Sequence, residues 1–199
     1  MNTSSGSADI IDCFSSHTIK FPVTYIHYGT SFGYPIISMG SHVTASPNHY
    51  TNRATPIHTR SNVAMSGTYG FEVDLTKLDL KEIEFLNEET AFYRKYFDLI
   101  QKGDYYRLSL PNENYTSWQF VSSDAKKSLV FLVQTNLRLN YKPIIQKFYG
   151  LDESKNYQVI IDGIKQEKTF SGCALMNIGI KIPELKGEYD SVRIELICE

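Results

Sequence analysis

Two histidines, an asparagine and several hydroxyl groups are concentrated in the sequence MGSHVTASPNH, residues 39–49. Arg53 and Arg60 follow, among further threonines and prolines. Directly before this stretch lies the apolar segment YPII, residues 34–37. In α/β barrels, polar loops that follow buried strands present functional groups at the carboxyl ends of those strands. We therefore interpret residues 34–37 as a strand and the polar stretch as the wall of a site.

The side chains of this stretch allow two interpretations each. His42 and His49 have the chemistry of a catalytic base, but a histidine in a proline-rich loop also serves as a hydrogen-bond donor that fixes the loop. Arg53 and Arg60 suit a phosphate or a carboxylate ligand, or they have a structural role in which they cap backbone carbonyl groups or pair with nearby acids such as Glu72 and Asp74. No Cys, Asp or Glu accompanies the two histidines, which disfavours a metal site. The residues alone leave the chemistry of the site open.

The clearest predicted element is a helix within residues 74–102. Asp79 and Glu82 have the spacing of a capping box, and Gly103 stands where a helix C′ residue belongs. The helix is further predicted by a mostly apolar series at alternating steps of three and four residues, namely Ile83, Leu86, Thr90, Tyr93, Phe97 and Ile100. Two further elements are predicted before it, a strand over residues 21–26 and a short helix including residues 62–65.

After Gly103 the sequence changes to short β-prone runs separated by turn residues. These runs predict six strands, over residues 105–110, 116–121, 129–139, 144–149, 157–161 and 192–197. Six strands with little helix between them favour an antiparallel sandwich. Trp118 suits either a sugar-stacking platform or the core of this sandwich. We therefore expect a boundary near Gly103, with residues 20–102 before it, 104–199 after it, and a poorly ordered segment at residues 1–19.

Composition and charge exclude several classes of partner. The chain has 199 residues, 42% of them hydrophobic, and a formal net charge of -2. We expect no binding to nucleic acid or to an anionic membrane, because there is no general basic field. We also expect no membrane span, because no apolar run approaches the roughly 20 residues that a bilayer requires. We expect no secretory signal, because residues 1–7 show no basic region followed by an apolar one. Cys13, Cys173 and Cys198 lack metal-ligand spacing, which favours reduced thiols in a cytoplasm.

In these residues the chain resembles the carboxyl-terminal part of the α-galactosidases of glycoside hydrolase family 36. The resemblance begins with residues 39–49 and continues in register through Arg53, Thr55-Pro56 and Thr59-Arg60. It covers about residues 25–199, and no cofactor or metal is implied. Further similar pieces, in order, are YGTS (28–31), YGFEVDLTKL (69–78), LIQ (99–101), YRL (106–108), WQFVS (118–122), GLD (150–152) and LMNIG (175–179).

The resemblance implies an α+β chain composed of the terminal strands and helices of a (β/α)₈ barrel, residues 20–102, and a small antiparallel β-sandwich, residues 104–199. It implies a retaining hydrolase that releases terminal α-galactose from melibiose, raffinose and stachyose. The implied partners are α-galactosides bound by the complete enzyme, the remaining barrel portion, and further copies in a homo-oligomer. The residues implied to line the edge of the galactose pocket are Gly40, Ser41, His42, Asn48 and His49.

The two carboxyl groups that retention requires are not found where the resemblance would place them. The family's nucleophile is the aspartate of a Lys-Trp-Asp motif, which this sequence lacks. Its acid/base motif falls on SSHTI, residues 15–19, and Asp9 or Asp12 would replace it only across a gap. Two hypotheses follow. Either the chain is the carboxyl-terminal fragment of an α-galactosidase and is inactive alone, or it is a non-catalytic sandwich protein that binds carbohydrate or another protein.

Overall fold

The computed structural model describes residues 23–48, 52, 54–110, 114–136 and 143–199. The segment predicted to be poorly ordered, residues 1–19, lies outside the described residues. The chain divides into two compact units, Met1–Lys95 and Tyr96–Glu199. The division falls within a long helix, before Gly103, where the sequence predicts a domain boundary.

The first unit is built around a parallel strand–helix–strand arrangement. Its elements in chain order are helix α1 (Val23–Thr30), a 3₁₀ turn (Ile36–Ser38), strand β1 (Gly40–Thr44), helix α2 (Ile57–Ala64), strand β2 (Thr68–Glu72), a 3₁₀ turn (Leu75–Lys77) and the start of helix α3 (Leu80–Lys102). Strands β1 and β2 pair in parallel, with His42 opposite Gly70. A small apolar cluster, Val43, Ala64 and Leu86, joins β1 to α2 and α3.

Both strands predicted before residue 38 are wrong. Residues 23–30 form helix α1 instead of a strand, although the sequence VTYI at its start is β-prone. Residues 34–37 are not a strand, because Pro35 leads into the 3₁₀ turn Ile36–Ser38. The strand begins two residues after that turn, so Gly40, Ser41 and His42 lie on β1 and not in a loop behind it.

Helix α3 confirms the predicted helix and both of its end signals. The amide of Glu82 donates to Oδ1 of Asp79 over 2.8 Å, and the amide of Asp79 donates to Oε2 of Glu82 over 3.3 Å. At the other end, the amide of Gly103 donates to the carbonyl of Leu99. The last turns of α3 belong to the second unit, where the hydroxyl of Tyr96 donates to the buried carboxylate of Glu195.

The second unit is a small antiparallel sandwich. Its elements are β3 (Asp104–Arg107), β4 (Tyr115–Val121), β5 (Lys127–Gln134), β6 (Ile145–Gln146), β7 (Asn156–Ile161), β8 (Ile164–Ser171), α4 (Gly172–Asn177), β9 (Ile180–Lys181) and β10 (Ser191–Cys198). Six strands form one sheet in the order β3-β4-β5-β10-β7-β8, and β6 pairs with β9 separately. Between these layers lies an apolar core that includes Leu132, Phe148, Tyr157, Leu175 and Ile194.

Each strand predicted in this unit has a counterpart in the structure, but some of these strands have different bounds. The strand predicted over residues 129–139 ends at Gln134, and the one over 144–149 shortens to β6. Strand β8 was not predicted, because its sequence IKQEKTFS is mostly exposed and polar. Trp118 is 3% exposed and its ring stacks on Phe131, so it belongs to the core and does not form a surface platform.

Candidate active-site face of the first unit

Strand β1 has two faces with different surroundings. Ser41 and Val43 are buried on the side of helix α2, and the hydroxyl of Ser41 donates to the carbonyl of Val63 over 3.3 Å. On β2, Tyr69 lies on the same side and its hydroxyl is 3.0 Å from that of Ser61. Because side chains alternate along a strand, Gly40, His42 and Thr44 must lie on the opposite side.

The opposite side of the two strands forms a second surface, which we name the His42 face. The register pairs Gly40 with Thr68, His42 with Gly70 and Thr44 with Glu72, and laterally paired residues project to the same side of a sheet. Thr44 and Glu72 are the last residues of their strands, so the carboxyl ends of β1 and β2 meet at this pair. The His42 face thus consists of Gly40, His42, Thr44, Thr68, Gly70 and Glu72.

The imidazole of His42 extends across the neighbouring strand. A Cβ atom placed on Gly70 would lie 2.6 Å from Cδ2 of His42 and 3.2 Å from its Nε2. Such an approach is shorter than van der Waals contact, so the ring occupies the space of a side chain at residue 70. The His42 ring therefore fills the space of two side-chain positions on the His42 face, its own and that of Gly70.

A second histidine lies in the electrostatic surroundings of His42. His27, on helix α1, is 8% exposed, and burial lowers its pKa to about 4, with the charge of His42 acting in the same direction. His27 is therefore neutral near pH 7. Within the described residues, the Nδ1 atoms of both histidines are buried and have no hydrogen-bond partner. The sequence gave no indication that the charge of His42 acts on His27, because the two residues lie on different elements.

Arg60 fixes the backbone at the end of β1. Its Nη1 donates to the carbonyl of Thr44 over 2.5 Å, and its Nε donates to the carbonyl of Thr55 over 3.1 Å. The amide of Thr55 donates in turn to the hydroxyl of Ser46. Desolvation lowers the pKa of Arg60, and the charge of Glu82 acts in the opposite direction. Of the two predicted roles for this arginine, the structure therefore favours the capping of carbonyl groups.

The five predicted site residues do not share one surface. Gly40 and His42 belong to the His42 face, whereas Ser41 lies on the helix side of the same strand. Asn48 is half-buried in the loop after β1, where its carbonyl accepts from the amide of Asn52 over 2.7 Å. His49 and Arg53 lie outside the described residues.

A buried polar cluster on the helix side was missed from the sequence. The hydroxyl of Ser61 donates to Oε2 of Glu89 over 2.8 Å, and Glu89 is 5% exposed. The Tyr93 hydroxyl donates to the carbonyl of Gly67 over 2.7 Å, and its ring stacks on Tyr69. A signal did exist, because Glu89 lies three residues after Leu86 and four before Tyr93, which places it on their side of α3. A carboxylate at such a position requires hydrogen-bond donors.

Neither a metal-ligand cluster nor a membrane-spanning helix occurs in the part of the chain that the structure describes. No three His, Cys, Asp or Glu side chains there are grouped so that they could hold a metal ion. In the same residues, no helix is both long and apolar enough to cross a bilayer.

Comparison with protein families gives two matches that follow each other along the chain. The family model described as Melibiase matches residues 14–103. The model described as the glycosyl hydrolase family 36 C-terminal domain matches residues 115–196. The first match contains the His42 face, and the second coincides with the sandwich.

Curated relatives and solved structures agree with these models. The chain is 37% identical over 178 residues to the bifunctional α-galactosidase/sucrose kinase AgaSK of Mediterraneibacter gnavus, covering 89% of this chain and 19% of the relative. It is 38% identical over 172 residues to α-galactosidase AgaA of Geobacillus stearothermophilus. This match covers 84% of this chain and 22% of the relative. It therefore spans about a fifth of the length of these relatives.

Among solved structures, the galactosidase domain of AgaSK superposes with a TM-score of 0.82 at 36% identity, over 88% of this chain and 24% of the other. The crystal structure of AgaA gives a TM-score of 0.82 at 35% identity, over 89% of this chain and 24% of AgaA. A structure of an AgaA variant was determined in complex with raffinose. It gives a TM-score of 0.80 over 87% of this chain and 24% of the variant.

Proposed function

Because the chain belongs to glycoside hydrolase family 36, we propose that it forms the carboxyl-terminal part of a retaining α-galactosidase, a hydrolase that releases terminal α-galactose from raffinose- and melibiose-type oligosaccharides. The observation that carries the proposal is the similarity to the galactosidase domain of AgaSK, which extends over 88% of the chain with a TM-score of 0.82. The region of similarity includes both the parallel β1–α2–β2 arrangement and the sandwich.

In this proposal, the chain supplies part of the barrel wall and not the reacting carboxylates. Retention proceeds through a nucleophile and an acid/base about 5 Å apart. The sequence lacks a Lys-Trp-Asp motif, and residues 15–19, in the register of the acid/base motif, contain no carboxylate. Both groups would therefore come from the remaining portion of the enzyme, with which this chain would associate. A cytoplasmic location is part of the proposal, on the basis of the unpaired cysteines Cys173 and Cys198.

The His42 face is the surface that this proposal directs toward the sugar. The carboxyl ends of barrel strands form the active-site side of such folds, and Thr44 and Glu72 end the two strands here. Gly40 and His42 would line the pocket edge, with His42 orienting neighbouring groups or sugar hydroxyls. Asn48 and His49 would contribute from the loop beyond β1. Ser41 would act indirectly, by holding β1 on helix α2.

The test is to read the coding sequence immediately upstream of this chain and to express the uninterrupted polypeptide. The proposal expects an in-frame or frameshifted Lys-Trp-Asp motif there, and release of galactose from raffinose and melibiose by the complete protein. A variant with that aspartate replaced by Ala is the matched control and should be inactive. A complete protein that folds but releases no galactose from any α-galactoside would contradict the proposal.

A further inference from the structure

Resting on the proposed function, we infer that Glu72 is a substrate-binding residue whose carboxylate accepts hydrogen bonds from the hydroxyl groups of the bound α-galactoside. Three observations carry the inference: the position of Glu72 on the His42 face, the absence of a partner for its carboxylate among the described residues, and the chemistry that such a carboxylate requires. It gives a ligand-binding role to a residue that the sequence indicated only as a possible partner of an arginine.

The position of Glu72 is determined by strand register. Glu72 pairs with Thr44, and Gly70 pairs with His42, so Glu72 lies two residues beyond Gly70 on the same side of β2. The contact between the His42 ring and the Cβ direction of Gly70 establishes which side this is. Glu72 is also the last residue of β2, which places its carboxylate at the carboxyl end of the strands.

The carboxylate of Glu72 is not used by the described part of the protein. Glu72 is exposed, and none of the hydrogen bonds or ion pairs formed among the described residues involves its side chain. Arg60, the cation at the end of β1, donates instead to the carbonyls of Thr44 and Thr55. Asp74 is different, because its carboxylate accepts from the amide and hydroxyl of Thr76 and pairs with Lys77.

The neighbours of Glu72 leave room for a polar ligand. The interiors of (β/α)₈ barrels are usually filled by bulky branched side chains, whereas the His42 face carries two glycines and two threonines beside His42 and Glu72. A carboxylate enclosed in a barrel is strongly unfavourable unless it receives hydrogen bonds. An ionised carboxylate only accepts, and each sugar hydroxyl has one hydrogen to donate. An α-galactoside therefore provides donors that the described residues do not offer to this carboxylate.

The experiment uses the complete enzyme and compares Glu72→Gln with Glu88→Gln. Gln keeps the size of the side chain but removes the charge that strengthens hydrogen bonds from hydroxyl groups. For Glu72→Gln we expect KM for raffinose and melibiose to rise about tenfold with a smaller change in kcat. Glu88 is an exposed carboxylate on α3, so its replacement should leave both constants at the wild-type values.

A second variant guards against a folding defect. Glu72→Asp keeps the charge but withdraws the carboxylate by one methylene group, so a direct contact predicts a raised KM here as well. A wild-type KM in both Glu72 variants, with wild-type thermal unfolding, would overturn the inference. If the wild-type enzyme itself releases no galactose, the proposed function fails first, which distinguishes that failure from the failure of Glu72 alone.

Discussion

The imidazole of His42 fills the space in which a side chain at Gly70 would lie. The two residues are paired across the parallel strands β1 and β2, and a Cβ atom at residue 70 would approach Cδ2 of His42 to 2.6 Å. Glycine at residue 70 is therefore a steric requirement of the histidine. The pair links the sequence YGFE of β2 to the sequence GSHV of β1, although 27 residues separate the two members of the pair.

We predict that Gly70→Ala lowers the free energy of unfolding by about 1–3 kcal/mol, because the new methyl group must displace the His42 ring. Urea unfolding of the purified chain measures the change. In the double variant with His42→Ala, the methyl group meets no ring, so Gly70→Ala should cost much less there. Gly29→Ala is the control, because no described residue has an atom within 4 Å of a Cβ at that position. Equal costs in both backgrounds would contradict the steric account.

Local sequence determines some helices and strands of this fold and not others. Helix α3 was predictable because its apolar period, capping box and terminal glycine all lie within one segment. Strand β1 was not, because GSHVT has weak local β character and becomes a strand by pairing with β2. The predicted strand over residues 34–37 failed for a local reason, the turn that Pro35 initiates.

The residues of the candidate site also differ in how far the sequence could predict their positions. The sequence drew attention to His42, but it could not assign Ser41 and His42 to opposite faces while the strand itself was misplaced. Glu72 was considered only as a partner of an arginine, because its position on the His42 face depends on a register between distant segments. His27 gave no sign of its burial, because helix α1 had been interpreted as a strand.

A second prediction concerns pH. Burial, and secondarily the charge of His42, lower the pKa of His27 from 6.5 to about 4. Between these values the unfolded chain binds a proton that the folded chain does not, so stability is retained above pH 6.5 and lost as the pH falls toward 4, by about 3 kcal/mol in total. Urea unfolding across this range measures the loss. His27→Gln should flatten the profile, while His58→Gln on α2 should not.

A third prediction tests the buried cluster on the helix side of the sheet. Ser61→Ala removes the hydroxyl that donates to Oε2 of Glu89, and the free energy of unfolding should fall by about 1–3 kcal/mol because a buried carboxylate loses a donor. Ser38→Ala is the matched control, since its hydroxyl bonds to the carbonyl of Pro35 at an exposed site. Losses of the same size in both variants would show that the burial of Glu89 is unimportant.

A fourth prediction is that the isolated chain has no α-galactosidase activity. Without a nucleophile and a proton donor, the two-step displacement has no covalent intermediate and no acid catalyst. The assay is the release of p-nitrophenol from p-nitrophenyl α-galactoside by rigorously purified protein. Turnover that disappears in Asp9→Ala or Asp12→Ala would contradict the prediction and identify an acidic group supplied by this chain.

The last prediction concerns the unequal stability of the two units. The sandwich closes a large apolar core around Phe148, Tyr157 and Ile194, whereas the apolar cluster around Val43 in the first unit has three buried members. Parallel strands in known folds are covered on both faces, and within the described residues β1 and β2 pair only with each other. An open strand edge of this kind also favours aggregation.

We therefore expect limited proteolysis to remove residues before about Leu78 and to leave a stable core of helix α3 and the sandwich. Tyr96 anchors the end of that helix through its hydrogen bond to Glu195, so the helix should remain with the sandwich after cleavage. Mass spectrometry of the fragments and hydrogen exchange of the intact chain measure the order of opening. Protection of β1 and β2 equal to that of β5 and β10, in a well-behaved monomer, would contradict the prediction and favour an autonomous protein over part of a barrel.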